Sequence, residues 1–112
     1  MKTRAAILRS SPGKFESAVL DLDEPRAGEV LVKIAAAGMC HSDDHMQTGH
    51  MKMRTYPAAG GHEGAGVIVQ VGPEVHGLAE GNHVVLACMP TCGRCKWAST
   101  PCRVPRTAVR RT

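Results

Sequence analysis

YPAAGGHEGAGVIVQVGPEV, residues 56–75, is the stretch that decides the fold. It sets His62 and Glu63 among glycines and then runs into a mostly apolar segment over residues 67–71. Glycine tolerates positive φ and close backbone approach because it has no Cβ, so the pattern predicts a sharp turn joined to a strand. A neutral imidazole is a good zinc ligand, and a neighbouring carboxylate can support or join it. A single histidine is a weak signal, so this stretch by itself favours the alternative, a histidine that only hydrogen-bonds within a glycine-rich turn.

A second stretch, GMCHSDDHMQTG at residues 38–49, adds the donors that a metal site needs. Cys40 is a soft ligand that binds zinc as a thiolate, and a serine, two aspartates and two histidines follow it closely. The strand predicted over residues 29–37 ends just before Cys40, so the cysteine is expected in a loop carried by a rigid strand. Ser42 could cap a short helix there, since its oxygen can accept from first-turn amides.

Together the two stretches resemble the zinc-dependent alcohol dehydrogenases of the medium-chain dehydrogenase family. Residues 61–75 reproduce the family pattern G-H-E-x2-G-x5-G-x2-V at every fixed position, and CHSDDH at residues 40–45 matches its first zinc-ligand loop. The opening MKTRAAIL and the run AAAGMCHSDDH look most like the actinobacterial nitrosodimethylaniline-dependent branch. The resemblance covers about residues 1–97 and implies a GroES-like catalytic-domain fragment.

The periodicity of the chain also predicts a mainly β fold. Short apolar or alternating runs separated by Gly and Pro turns read as strands, at residues 3–9, 15–22, 29–37, 67–71 and 83–87. Little of the remainder has a helical period, and residues 50–56 read as a loop. This pattern favours a small, partly open β-barrel with short helices, which agrees with the GroES-like barrel that the resemblance implies.

The resemblance also implies roles for single residues. Cys40 and His62 would ligate the catalytic zinc, which acts on the alcohol as a Lewis acid while NAD receives the hydride. Ser42 would take the alcohol proton and His45 would pass it to water, whereas a helix cap is the alternative for Ser42. Asp43 would orient the zinc-bound histidine, and His41 would contact the cofactor's pyrophosphate. Glu63 would occasionally substitute for a zinc ligand. A solvated first-turn acid is the alternative for Asp43 and an exposed loop histidine for His41.

The family's third catalytic ligand, a second cysteine, comes from further along than this sequence extends. No G-x-G-x-x-G occurs between a strand and a helix, so a Rossmann domain is not expected within these residues. We therefore expect that this chain alone does not bind NAD and is inactive as an alcohol dehydrogenase.

Cys92 and Cys95 form a C-x2-C hairpin, half of a tetrahedral structural zinc site. The resemblance places the lobe's third cysteine where Ala98 stands and its fourth where Arg106 stands. An irregular four-cysteine site that recruits the two remaining cysteines is the alternative: Cys88 and Cys102. Asn82 also departs from the family, which usually has aspartate there.

From residue 98 the sequence changes to ASTPCRVPRTAVRRT, which has no acid, no apolar period and four arginines. Such a segment has little to bury, so residues 98–112 are expected to be a basic, disordered tail. An out-of-frame remnant after Trp97 would produce the same abrupt change.

Charge and composition exclude other function classes. Residues 1–97 carry ten Lys/Arg against ten Asp/Glu, so the net charge of +4 lies in the tail, and aromatic residues make up 3% of the chain. A nucleic-acid partner is therefore not expected. The N-terminus lacks a secretory core and no stretch approaches ~18 apolar residues, so the sequence predicts a cytoplasmic protein without a membrane partner.

The sequence thus favours a zinc-binding fragment of an NAD-dependent alcohol dehydrogenase that acts on a small alcohol or aldehyde. A GroES-like module that binds zinc without catalysis, or a pseudogene product, is the alternative. A structural barrel has no need of Ser42 and His45 beside Cys40, which favours the enzyme. Family members are homo-oligomers, but the sequence does not indicate the oligomeric state of this chain.

Overall fold

The computed structural model describes residues 1–87 and the strand at 108–111. Its elements are β1 (Lys2–Leu8), β2 (Phe15–Asp21), β3 (Val30–Ala37), α1 (His41–Thr48), β4 (Ala58–Ala59), β5 (Gly64–Val71), β6 (His83–Ala87) and β7 (Ala108–Arg111). They divide between two compact units. The first contains Met1–Asp23 and Gly38–Gly61, and the second contains Glu24–Ala37 and His62–Thr112.

The first unit is a three-stranded sheet with the single helix. β1 is central and pairs antiparallel with β2 on one side, in a register from Lys2↔Asp21 to Leu8↔Phe15, and with the short β4 on the other. Four apolar side chains of this unit are buried: Ile7, Leu8, Met46 and Ala58. Leu8 is fully enclosed, so the core of the unit lies where β1 ends.

The turn between β1 and β2 holds the last turn of α1. The Gly13 amide donates to the Gln47 carbonyl at 2.9 Å, and the Ser11 hydroxyl donates to the Met46 carbonyl at 2.6 Å. The Phe15 amide donates to the side chain of Gln47 at 3.1 Å. The first two bonds satisfy backbone carbonyls that a helix end leaves without intrahelical partners, and all three fix the short helix to the sheet at its C-terminal end.

The second unit is a four-stranded antiparallel sheet in the order β3-β5-β6-β7. Ile68 on β5 and Val84 on β6 are each 1% exposed and form its buried apolar centre. The register of β3 against β5 shifts between Ile34 and Ala36. Near this irregularity a Cβ on Gly66 would lie 2.2 Å from the Lys33 carbonyl oxygen, so only glycine fits there.

The mainly β architecture is confirmed; the part of the chain that the structure describes contains one short helix, and its strands form two open sheets. Every predicted strand is present within one or two residues at each end, except that β5 begins at Gly64, earlier than the predicted residue 67. The prediction relied on a run of apolar side chains, whereas residues 64–66 are glycine and alanine and pair with β3 through their backbone. Among the described residues, no helix has the length and apolar character needed to cross a bilayer.

Two other elements differ from the sequence-based expectation. β4 is only two residues long, which is too short to show the alternation of apolar and polar side chains that predicts a strand. β7 lies in the segment predicted to be disordered, where Ala108–Arg111 pair with β6 from Leu86↔Val109 to Val84↔Arg111. This four-residue run has neither glycine nor proline, and β6 has an edge available on the side away from β5. The remainder of the predicted tail lies outside the described residues.

Candidate metal and proton-transfer site

The N-terminus of α1 carries Cys40. This residue is the N-cap, with extended backbone angles (φ −98°, ψ 148°), and the helix begins at His41. The alternative role of Ser42 as the cap is therefore wrong, because Ser42 already lies inside the first turn. The helix ends at Thr48, and the left-handed conformation of the next residue, Gly49 (φ 85°), is the usual glycine C-terminal stop.

The carboxylate of Asp43 joins two backbone segments of the first unit. Its Oδ2 accepts from the Cys40 amide at 3.3 Å, and its Oδ1 accepts from the Gly61 amide at 3.3 Å. The first bond is the return half of a capping box, in which the third helical residue satisfies the N-cap amide. Gly61 has a φ of 88°, so glycine is favoured at the point where this second segment turns. Asp43 therefore ties the backbone of Cys40 to the residue immediately before His62.

His62 and Glu63 lead into β5. His62 is half-buried and Glu63 is exposed, while Gly64 at the start of the strand is buried. The potential ligand atoms of His62 and Glu63 lie within 4.8 Å of each other. A metal held by the imidazole would therefore have a carboxylate within reach.

The helix presents the residues expected to transfer the proton. Ser42 is half-buried and His45 is exposed, and their three-residue separation places them on one face of α1. The His41 side chain is 78% exposed and its ring lies 4.5 Å from that of His45, centroid to centroid. His41 thus projects from the helix N-terminus, where backbone amides favour an anion such as a pyrophosphate.

His50 is a residue that the sequence analysis missed. Its ring centroid lies 5.6 Å from that of His45, and its Nδ1 is 2.8 Å from the Thr48 hydroxyl. The left-handed Gly49 reverses the chain, and the Met51 amide then donates to the His45 carbonyl at 3.0 Å. The sequence signal was the glycine directly after the helix, since such a stop returns the next residues to the last turn.

Asn82, which departs from the family's usual aspartate, lies in the turn before β6. Its side-chain oxygen accepts from the Ala79 amide at 3.1 Å, and its own amide donates to the Ala79 carbonyl at 3.1 Å. An amide oxygen and a carboxylate oxygen are both acceptors, so this departure preserves the turn. The expected structural zinc ligands Cys92 and Cys95, with Cys88 and Cys102, lie outside the described residues.

The chain is similar to a known protein family. Residues 26–105 match the sequence model of the alcohol dehydrogenase GroES-like domain family. The match continues eight residues beyond Trp97, where the resemblance was expected to stop. An NDMA-dependent alcohol dehydrogenase of Amycolatopsis methanolica is 51% identical over 100 residues, which cover 89% of this chain and 27% of that protein.

A further relative and a solved structure also match most of this chain. Alcohol dehydrogenase B of Mycobacterium tuberculosis is 44% identical over 95 residues, covering 85% of this chain and 25% of that protein. The crystal structure of benzyl alcohol dehydrogenase from Acinetobacter calcoaceticus superimposes with a TM-score of 0.75 at 37% identity, over 88% of this chain and 27% of that one. The chain therefore spans about a quarter of the length of the relatives it matches. Because the family match covers more than half of its residues, the chain belongs to the alcohol dehydrogenase GroES-like domain family.

Proposed function

We propose that this chain supplies the zinc-binding and proton-transfer part of an NAD-dependent alcohol dehydrogenase that oxidises small alcohols to aldehydes or ketones. The observation that carries the proposal is the double hydrogen bond of Asp43. It joins the backbone of Cys40 to that of Gly61, the residue immediately before His62, and so holds the Cys40 loop and this turn together. A free-standing structural sheet has no need of this connection.

The donor chemistry fits zinc. A thiolate and an imidazole, with a carboxylate beside the imidazole, are ligands that zinc prefers, whereas calcium and magnesium take oxygen ligands. We assign Cys40 and His62 as ligands and Glu63 as the supporting carboxylate. Zinc bound there would supply a Lewis acid that lowers the pKa of the alcohol.

The chain's own side chains would then handle the alcohol proton. The Ser42 hydroxyl can accept a proton from the substrate and donate its own at the same time, because a hydroxyl is both donor and acceptor. His45, three residues further along the same helix face, would receive that proton and release it to water, since it is exposed. His41, at the exposed helix N-terminus, would contact the cofactor's pyrophosphate.

Positioning of the nicotinamide would have to come from residues other than these 112, because they contain no dinucleotide-binding motif. Such positioning is worth up to about 7–11 kcal/mol of the barrier. The proposal is tested by grafting residues 1–97 onto the remainder of a close relative and measuring NADH formation with primary alcohols.

The graft is expected to turn over, and Cys40→Ser or Ser42→Ala in the graft is expected to abolish or strongly reduce its kcat. His76→Gln is the matched control, an exposed histidine of the second unit, and should leave kcat unchanged. A folded, zinc-loaded graft without activity would contradict the enzymatic assignment and favour a binding module.

A further inference from the structure

Three imidazoles gather at α1, apart from the assigned zinc ligands. His41 and His45 are four residues apart on the helix, a spacing that places two histidines on one face for a single metal ion. His50 follows the helix stop, and its ring lies 5.6 Å from that of His45. All three are exposed, so their rings can rotate on the picosecond to nanosecond timescale.

A hydroxyl supports the ring of His50. The Thr48 hydroxyl lies 3.0 Å from the Asp44 carbonyl and 3.4 Å from the His45 carbonyl, so it is held at the last turn of α1. The same oxygen lies 2.8 Å from Nδ1 of His50. Metal-ligating histidines usually have such a polar group beside the ring nitrogen that does not face the metal.

We propose that His41, His45 and His50 form a second metal site for a divalent transition ion that prefers imidazole, of the Ni²⁺, Cu²⁺ and Zn²⁺ class. The ring of His41 stands at 75° to that of His45, so binding requires the exposed His41 ring to turn. Nearby negative charge favours a cation, because the Asp44 carboxylate lies 3.9 Å from Nε2 of His41.

Occupation of this site would have a consequence that rests on the proposed function. The ion would engage His41 and His45, the residues assigned to pyrophosphate contact and proton release. Metal binding here would therefore inhibit catalysis by the complete enzyme. This inhibitory metal site is distinct from the proposed zinc site, which uses other ligands.

The test uses Ni²⁺ as the probe, because it does not oxidise thiols as Cu²⁺ does. Equilibrium dialysis of the zinc-loaded chain against Ni²⁺ is expected to give one bound nickel per chain without loss of zinc. His45→Gln and His50→Gln should each weaken nickel binding at least about 10–100-fold, the loss typical for removing even a supporting group of a ligand. Thr48→Val should weaken it too, since it removes the hydroxyl that lies 2.8 Å from Nδ1 of His50.

His76→Gln serves as the control and should leave nickel affinity unchanged. His50 lies outside the helix, so His50→Gln tests the site even if a helical variant fails to fold. Paramagnetic broadening by Ni²⁺ of the ring protons of all three histidines would support the site directly. Nickel binding that survives both glutamine variants, or that disappears only in Cys40→Ser, would overturn it.

Discussion

Replacing Asp43 by alanine removes the connection between the Cys40 and Gly61 backbones. Each of its two hydrogen bonds is charge-assisted, a class worth about 1.5–3 kcal/mol, but both are long at 3.3 Å, so about 1 kcal/mol each is expected. Asp43→Ala should thus lower the free energy of unfolding by about 2 kcal/mol. Asp43→Asn retains one acceptor oxygen, so it should lose about half as much.

The same substitution should also weaken metal binding. Removing a group that positions a ligand typically costs 10–100-fold in metal affinity, so Asp43→Ala should weaken zinc by about that factor. Urea unfolding measures the first quantity and competition with a chelator the second. Asp44→Ala is the matched control, because it removes the same charge from the same helical turn. Equal zinc affinities for the two alanine variants would refute the proposed positioning by Asp43.

Three further predictions concern the fold and the chain by itself. Gly66→Ala should destabilise by at least about 1–3 kcal/mol in a urea titration, the cost of overpacking, because its Cβ would meet the Lys33 carbonyl oxygen; an unchanged unfolding midpoint would contradict this close approach. Leu8→Ala should cost about 2–5 kcal/mol, whereas Leu20→Ala, 37% exposed, should cost about 1 kcal/mol or less in thermal melts. The purified chain with zinc, NAD and primary alcohols should form no NADH, and turnover that Cys40→Ser abolishes would contradict this.

The strands were largely predictable from sequence because they obey local rules. Val30–Ala37 and His83–Ala87 are apolar or alternating runs between Gly and Pro turns, and each forms a strand within one residue of its predicted bounds. The steric demand on Gly66 was also visible, since closely spaced glycines indicate tight backbone approach. These features depend on few residues close together in sequence.

Features that depend on long-range partners were not predictable. The bond from Asp43 to Gly61 joins residues 18 apart and does not follow from any periodicity. Cys40 replaced Ser42 as the N-cap because Asp43 returns to its amide, a geometry that the usual preference for serine caps does not capture. Pairing of β7 requires an available edge on β6, which composition alone does not reveal.

The central claim is that Cys40 and His62 hold one metal ion together. The most direct measurement is cobalt substitution in a chain whose other four cysteines are serine, because Cys40 is then the only thiol. A sulfur-to-cobalt charge-transfer band is expected, absent in Cys40→Ser and markedly weakened in His62→Ala at equal cobalt. His76→Ala is the control and should leave the band intact. A band that His62→Ala leaves unchanged, or no band in the folded parent, would contradict the account.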